Sequence, residues 1–276
     1  MIDKIQSYFG LTAMPFGRGP APGMLFAGNE HTRAAARIGY GITTRGITVI
    51  TGEVGVGKTV AARAAVDGVE PARHHLIYIP GPTVGARGIY HHIVSALGGR
   101  PSFRNAALVP QARDALAAET TERGRLPILC IDEGHLLTHD SLEALRLSTN
   151  HRLDTESPFA TVILGQPTLA SKMALGILAA LEQRITVRRI MTGMTREETT
   201  GCIAHHIKIA GRSDPLFTDD AITHIHQSSR GKPRVVNRLA IAALIASAAA
   251  GKNLIDDASA RTAITETSND PQPSTL

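Results

Sequence analysis

The chain has 276 residues, a formal net charge of +5 and two cysteines. That length buries a sizeable core and divides most naturally into one α/β domain with a small appendage. No apolar run approaches the roughly 18 to 20 residues that span a bilayer, and Met1 to Ser7 lacks the charged-then-apolar layout of a signal peptide, so the expectation is a cytosolic protein in which Cys130 and Cys202 are small buried hydrophobes, with nucleic acid the first anionic partner that the positive charge permits.

Residues 1–24 read as a glycine- and proline-punctuated entry segment whose apolar residues, Tyr8, Phe9, Leu11, Met14 and Phe16, pack across a domain edge. Asn29 to Thr43 predicts a helix with Asn29 as its N-cap and Ala35, Ile38 and Ile42 as apolar positions. Ile47-Thr48-Val49-Ile50 is a buried strand that runs into a complete G-x-x-x-x-G-K-[ST] loop, Gly52 to Thr59. The alanine-rich run Val60 to Val66 then reads as a helix.

Strand, loop and helix in this order suit a phosphate group. Gly52, Gly55 and Gly57 allow backbone N–H groups to converge on the β- and γ-phosphates, and the helix N-terminus faces the same anion. Lys58 adds a positive charge and the Thr59 hydroxyl suits Mg²⁺. A turn that merely joined strand to helix would need neither residue. Gly52, Glu53, Val54, Gly55, Val56, Gly57, Lys58, Thr59 and Val60 are therefore the expected contacts to a nucleoside triphosphate.

Leu76 to Ile79 is a second strand, ended by Pro80-Gly81-Pro82. Ile89 to Leu97 reads helical up to Gly98-Gly99-Arg100-Pro101, and Gln111 to Arg123 is the next helix. Pro127 to Ile131 is a buried strand that ends in Asp132-Glu133, at the edge where open α/β sheets bind ligands. Asp132 is placed for the Mg²⁺ shell and Glu133 for polarising a water, and two acids in two roles favour hydrolysis over transfer to a second substrate. Leu142 to Asn150 predicts a helix, and Phe159 to Leu164 a strand ending in Gly165-Gln166-Pro167. The alternation calls for a parallel, doubly wound sheet with right-handed crossovers.

From about Thr192 the pattern becomes helical, with helices expected over Glu197 to Ala210, Thr218 to Ser228, Arg234 to Ala250 and Asp256 to Thr265. The expected division is thus an entry segment (1–24), a nucleotide-binding α/β domain (25–191), a small all-α lid (192–265) and a disordered tail (266–276). The adjacent pairs His74-His75, His91-His92 and His205-His206 point about 100° apart on a helix and form no i, i+4 metal clamp, which leaves them as surface or boundary residues and Mg²⁺ as the only metal expected.

With these motifs, Gly165-Gln166 and Gly231-Lys232-Pro233-Arg234, the chain resembles an AAA+ ATPase, and more narrowly the ExeA-like group related to the TniB and TnsC helper ATPases of DNA transposition. The narrower likeness rests on Tyr8-Phe9-Gly10-Leu11 with Pro15-Phe16, on Leu142 to Asn150, on Leu181-Glu182-Gln183-Arg184-Ile185 and on Gly231 to Asn237. The resemblance implies a P-loop core followed by an all-α lid, Mg²⁺-dependent ATP hydrolysis, and a homo-oligomer, ring or helical filament, hexameric per turn. It also implies Gln166 as the first-sensor residue that helps place water, Arg184 as an arginine reaching a neighbouring subunit's nucleotide, and Arg234 as the second-sensor arginine. An arginine's rigid donor fork suits such roles. Gly134 stands where the group usually has alanine after the acidic pair, an expected loosening of that loop.

Two roles follow from the resemblance. One is a switch that assembles on double-stranded DNA and recruits a transposase or integrase; the other is an ExeA-type secretion or assembly ATPase that does not bind DNA. Secretion members carry a membrane span and a further extension, and their absence from this sequence favours the DNA role and no membrane partner. Thr83, Arg87, Arg100, Ser102 and Arg104, lying among glycines with no aromatic ladder between them, are the expected contacts to duplex phosphates.

Overall fold

The computed structural model describes residues 2–17, 26, 28–82, 85–149 and 157–269. The strands are β1 (Ile47–Gly52), β2 (His74–Ile79), β3 (Leu126–Ile131), β4 (Ala160–Gly165) and β5 (Ile185–Met191). The helices are α1 (Ile2–Phe9), α2 (Asn29–Thr43), α3 (Lys58–Asp67), α4 (Gly85–Ala96), α5 (Asn105–Thr121), α6 (His139–Ser148), α7 (Pro167–Met173), α8 (Ala179–Glu182), α9 (Arg196–Ile209), α10 (Asp219–Ser229), α11 (Pro233–Ala249) and α12 (Asp257–Asn269). Two compact units result: a sheet unit of His31–Val54 and Lys58–Met191, and a helical unit of Met1–Glu30, Gly55–Gly57 and Thr192–Leu276.

In the sheet unit all five strands pair in parallel in the order β2-β3-β4-β1-β5. β1 and β4 lie inside the sheet and are buried along their whole length, which is why they read as continuous apolar runs. Their side chains join Ile77, Leu116, Leu129, Phe159 and Leu169 in one core. The edge strand β5 was not expected. Its burial alternates, with Val187 and Met191 inside and Arg188 exposed, so it carries half the apolar signal of a central strand. α5 begins at Asn105 and continues through Pro110, whereas the sequence places its start after the proline. The short helices α7 and α8 were also unforeseen; α7 opens with Pro167 in its first turn, a position where the missing N–H costs nothing.

The helical unit corrects two expectations. The entry segment contains a regular helix, α1, whose Ile5 and Phe9 join Phe16, Ile207, Ile225 and Leu239 in a second core. α12 continues through Asn269, so the first residues assigned to a disordered tail are helical; residues 270–276 lie outside the described part. Thr195 and Glu198 form a reciprocal capping box at the start of α9. α10 stops because Arg230 and Gly231 turn left-handed, with φ of 51° and 66°, and Pro233 then starts α11. A Cβ on Gly231 would overlap the Met194 carbonyl, whose residue donates its N–H to the Gly231 carbonyl at 2.8 Å.

Within the sheet unit one carboxylate is completely buried. Glu119 on α5 accepts from Arg123 Nη1 (2.7 Å) and Arg125 Nη2 (2.6 Å) and pairs with His75 Nδ1 on β2 (2.9 Å). Burial alone would raise its pKa, but the hydrogen bonds from Arg123 and His75 and the charges of His75 and Arg125 outweigh it and hold the carboxyl below the usual range. A carboxyl with a lowered folded-state pKa stabilises the fold above its unfolded pKa, near 4.3, and that contribution disappears as pH falls through the folded value. Glu119→Gln is expected to cost about 1–3 kcal/mol at neutral pH. Urea unfolding should show the gap between the two proteins narrowing below about pH 4.5.

Candidate functional site

β1 delivers the chain to the phosphate loop with Gly52 as its last residue. Of the loop glycines, Gly55 and Gly57 adopt the left-handed conformations, φ 86° and 95°, that side chains disfavour. Within the helical unit Gly55 has a second constraint: a Cβ there would lie 3.2 Å from Arg234 Cβ, and the Arg234 N–H donates to the Gly55 carbonyl at 3.3 Å. Lys58 folds back over its own loop, donating to the carbonyls of Gly52 (2.8 Å) and Glu53 (3.0 Å). Val56 is buried and Val54 exposed.

Thr59 and Asp132, both expected as metal ligands, meet in the structure. Thr59 Oγ1 donates to Asp132 Oδ2 at 2.8 Å; Tyr78 OH reaches the same oxygen at 3.2 Å, and the Glu133 N–H reaches Oδ1 at 2.9 Å. A hydroxyl and one carboxylate are a suitable donor set for Mg²⁺, which keeps several waters and takes its remaining oxygens from phosphates. Tyr78 was not foreseen, because the tyrosine reads as one more strand residue until β2 and β3 pair Tyr78 opposite Cys130. Burial and then the neighbouring Asp132 charge push the Tyr78 pKa up to about 12. A cavity of about 230 Å³ opens beside this cluster, lined among others by Thr59, Ala62, Arg63, Tyr78 and Cys130. Cys130 is buried, and burial raises its thiol to about 12, as suits a small hydrophobe.

Glu133 also sits in the left-handed region, φ 51°, with its carboxylate half exposed. The expectation that Gly134 loosens this loop is reversed. A Cβ at Gly134 would overlap Ile163 Cγ2 and approach the Leu164 carbonyl at 3.1 Å, so glycine is what lets the loop lie tightly on β4. Gly165 completes the fit, since its Cβ would come within 3.2 Å of the His135 N and 2.6 Å of Leu169 Cδ2. Gln166, just past β4, therefore stands beside His135, with Nε2 to Nε2 at 3.1 Å. Lys172 Nζ holds the loop from the other side through the carbonyls of His135 (2.7 Å) and Leu137 (2.6 Å).

Arg184 follows α8 and donates to Thr149 Oγ1 at 3.1 Å, at the end of α6 and near Glu143. Among the residues expected to touch DNA, Thr83 lies outside the described part. Arg100, Ser102 and Arg104 lie on the α4–α5 connection, and Arg87, in the first turn of α4, reaches it through Phe103. Gln111 ties the connection down by donating to the Arg100 carbonyl (2.8 Å) and accepting from the Ser102 N–H (2.9 Å), and Arg104 occupies the N-cap position of α5 without a side-chain capping bond. A single aromatic, not a ladder, stands among them: Phe103 is 87% exposed, and Arg87 lies over its ring at 5.2 Å while donating to its carbonyl at 2.9 Å. Among the described residues no cluster of three or more His, Cys, Asp or Glu suits a metal ion. Of the histidine pairs, His74 and His75 are boundary residues, half-buried on the edge strand β2, whereas His206 departs from the expectation and is buried against Phe16.

Residues 42–173 match the family model described as AAA domain. The chain is 31% identical over 252 residues to the general secretion pathway protein A of Aeromonas hydrophila, a match covering 90% of this chain and 46% of that protein. The sequence thus spans about half the length of this relative. Among solved structures it resembles Cdc6p from Pyrobaculum aerophilum (TM-score 0.69, 17% identity, 95% of this chain and 70% of that one). It also resembles the ADP form of Aeropyrum pernix ORC2 (0.67, 15%, 91% and 71%) and the Thermotoga maritima RuvB Holliday junction branch migration motor (0.56, 17%, 85% and 68%). The fold is that of the P-loop AAA proteins, a parallel five-stranded sheet with flanking helices and a helical C-terminal region.

Proposed function

We propose that this chain is an ExeA-like AAA+ ATPase that binds ATP with Mg²⁺ and hydrolyses the γ-phosphate. The observation that carries the reading is the Thr59–Asp132 hydrogen bond at the start of α3, with Glu133 next in the chain and Lys58 one residue before Thr59. A related fold described in its ADP form supports an adenine nucleotide. When bound, Mg²⁺ supplies charge neutralisation across the β- and γ-phosphates. Thr59 and Asp132 would hold it. Lys58 exchanges its two loop carbonyls for phosphate oxygens, the N–H groups of residues 55–59 cradle the anion, and Glu133 polarises the attacking water with help from Gln166. Arg234 contacts the nucleotide from the start of α11, and Arg184 acts on the nucleotide of a neighbouring copy in a ring or filament.

The similarity to general secretion pathway protein A favours a secretion-type assembly role for this ATPase. Among the described residues no helix is long and apolar enough to cross a membrane; because the sequence spans about half of that relative, this does not separate the secretion role from the DNA role. A specific feature supports a second reading, contact with double-stranded DNA and recruitment of a transposase or integrase: Arg100 and Arg104 share the α4–α5 loop with the exposed Phe103, over whose ring Arg87 of α4 lies. One of the related folds is also described as a Holliday junction motor.

Lys58→Ala is expected to lose nucleotide affinity, and Glu133→Gln to bind Mg·ATP with turnover reduced by at least about a hundredfold. Equilibrium binding of a fluorescent ATP analogue and phosphate release separate the two effects, and normal turnover by Glu133→Gln removes that residue from the water-activating role. Mixing Arg184→Ala with Glu133→Gln should restore part of the activity, because some interfaces then pair an intact Glu133 with an intact Arg184; full activity of Arg184→Ala alone counts against the trans role. For the DNA reading, replacing Arg87, Arg100 and Arg104 by alanine should weaken ATP-dependent duplex binding and flatten its salt dependence by about 0.9 log unit for each phosphate no longer neutralised. No duplex binding by the wild type at low salt with a non-hydrolysable ATP analogue leaves the secretion-type role.

A further inference from the structure

His135 lies between the two residues to which water handling is assigned, and nothing in the proposed ATPase cycle so far uses it. Its ring is largely buried, with a side-chain exposure of 16%. The backbone that carries the ring is held from several sides: Gly134 and Gly165 permit it to approach β4, and Lys172 fixes the carbonyls of His135 and Leu137. One ring nitrogen, Nε2, faces Gln166 Nε2 at 3.1 Å. The other, Nδ1, is buried without a well-aligned hydrogen-bond partner, and Glu133 Oε2 lies 3.3 Å from it. The contact to Glu133 is thus loose, and the carboxylate, half exposed, has room to leave it.

Resting on the ATPase reading, we propose that His135 is a positioning residue that couples Gln166 to Glu133 through its tautomer. An amide nitrogen only donates, so the observed contact requires Nε2 to accept and places the ring proton on Nδ1, facing the Glu133 carboxylate. In this state the N–H attracts the carboxylate without forming a well-aligned hydrogen bond. When the Gln166 NH₂ turns to a phosphate oxygen, the amide carbonyl swings to the ring and accepts a hydrogen bond from Nε2–H, which favours the proton on that nitrogen. The ring remains neutral: Nδ1 gives up its proton to water and Nε2 takes one. Nδ1 then presents a lone pair to Glu133, which is repelled and released toward the attacking water. Bound phosphate at Gln166 and a freed Glu133 become one event.

The test joins a spectroscopic readout to a double-mutant cycle on the full chain. In ¹⁵N-labelled protein the His135 nitrogens should report Nδ1–H without nucleotide and Nε2–H with a non-hydrolysable ATP analogue and Mg²⁺; the same tautomer in both states overturns the proposal. In single-turnover hydrolysis, His135→Ala and Gln166→Ala should each lose roughly tenfold or more, with the analogue affinity of His135→Ala within about twofold of wild type, and the double variant should be no slower than the slower single variant. Multiplied losses, or an unchanged rate in His135→Ala, overturn it. His135→Asn, a smaller polar replacement that keeps a donor near Glu133, should be slowed yet indifferent to a further Gln166→Ala change; continued sensitivity to Gln166 overturns the coupling. Wild-type protein that binds the analogue but never hydrolyses ATP refutes the ATPase reading instead, and the tautomer measurement still decides whether His135 responds to Gln166.

Discussion

The carboxylate of Asp132 is the constraint on which the site depends. It is a buried charge at the end of β3, and three donors from three places in the sequence satisfy it: Thr59 on α3, Tyr78 on β2 and the N–H of Glu133. A buried carboxylate short of a donor is costly, on the order of 1–3 kcal/mol for each bond left unmade. The cluster therefore ties the start of α3, which follows β1, to the ends of β2 and β3, although β4 separates β1 from β3 in the sheet. The same demand that stabilises the sheet's edge pre-positions a hydroxyl and a carboxylate for a cation.

One residue further on, backbone geometry takes over from charge. Glu133 occupies a left-handed conformation that costs an ordinary residue about 1 kcal/mol, and such conformations persist only where the surroundings over-determine them. Here the surroundings are close packing on β4, where neither Gly134 nor Gly165 has room for a methyl group, and the Lys172 clamp. The consequence is an acidic side chain directed away from the strand while its neighbour Asp132 stays buried. Two adjacent carboxylates, chemically alike, acquire different surroundings from one turn of backbone.

The fold and much of the site were legible because central strands and phosphate loops leave strong local signals. β1, β3 and β4 are apolar runs, and the Gly-Lys-Thr loop and Asp132-Glu133 are contiguous motifs. What sequence missed depends on partners distant in the chain. β5 is an edge strand with half a pattern; α1 is too short to announce itself before its Ile5 and Phe9 meet the helical core; α5 passes through a proline that reads as a boundary. Tyr78 and His135 are invisible until pairing of β2 with β3 and contact of the 133–137 loop with β4 bring them to Asp132 and Gln166. Gly134 was misread because its reason is a side chain on another strand, Ile163.

The α4–α5 connection shows how the same distinction bears on a macromolecular partner. In sequence, Arg87, Arg100 and Arg104 are three equivalent charges. In the structure they are not: Arg87 is engaged by the ring and carbonyl of Phe103, whereas Gln111 fixes the backbone that carries Arg100. Any surface that meets this loop meets an apolar ring and its stacked guanidinium as one body. Against a polyanion, the response to salt then comes chiefly from Arg100 and Arg104, which act by charge, while the Arg87–Phe103 pair contributes stacking and apolar contact that salt weakens little. A protein surface reverses the weighting, since an exposed aromatic with an arginine beside it is the kind of anchor that a partner's pocket encloses. The geometry of one pair thus separates the two partner classes by their dependence on ionic strength.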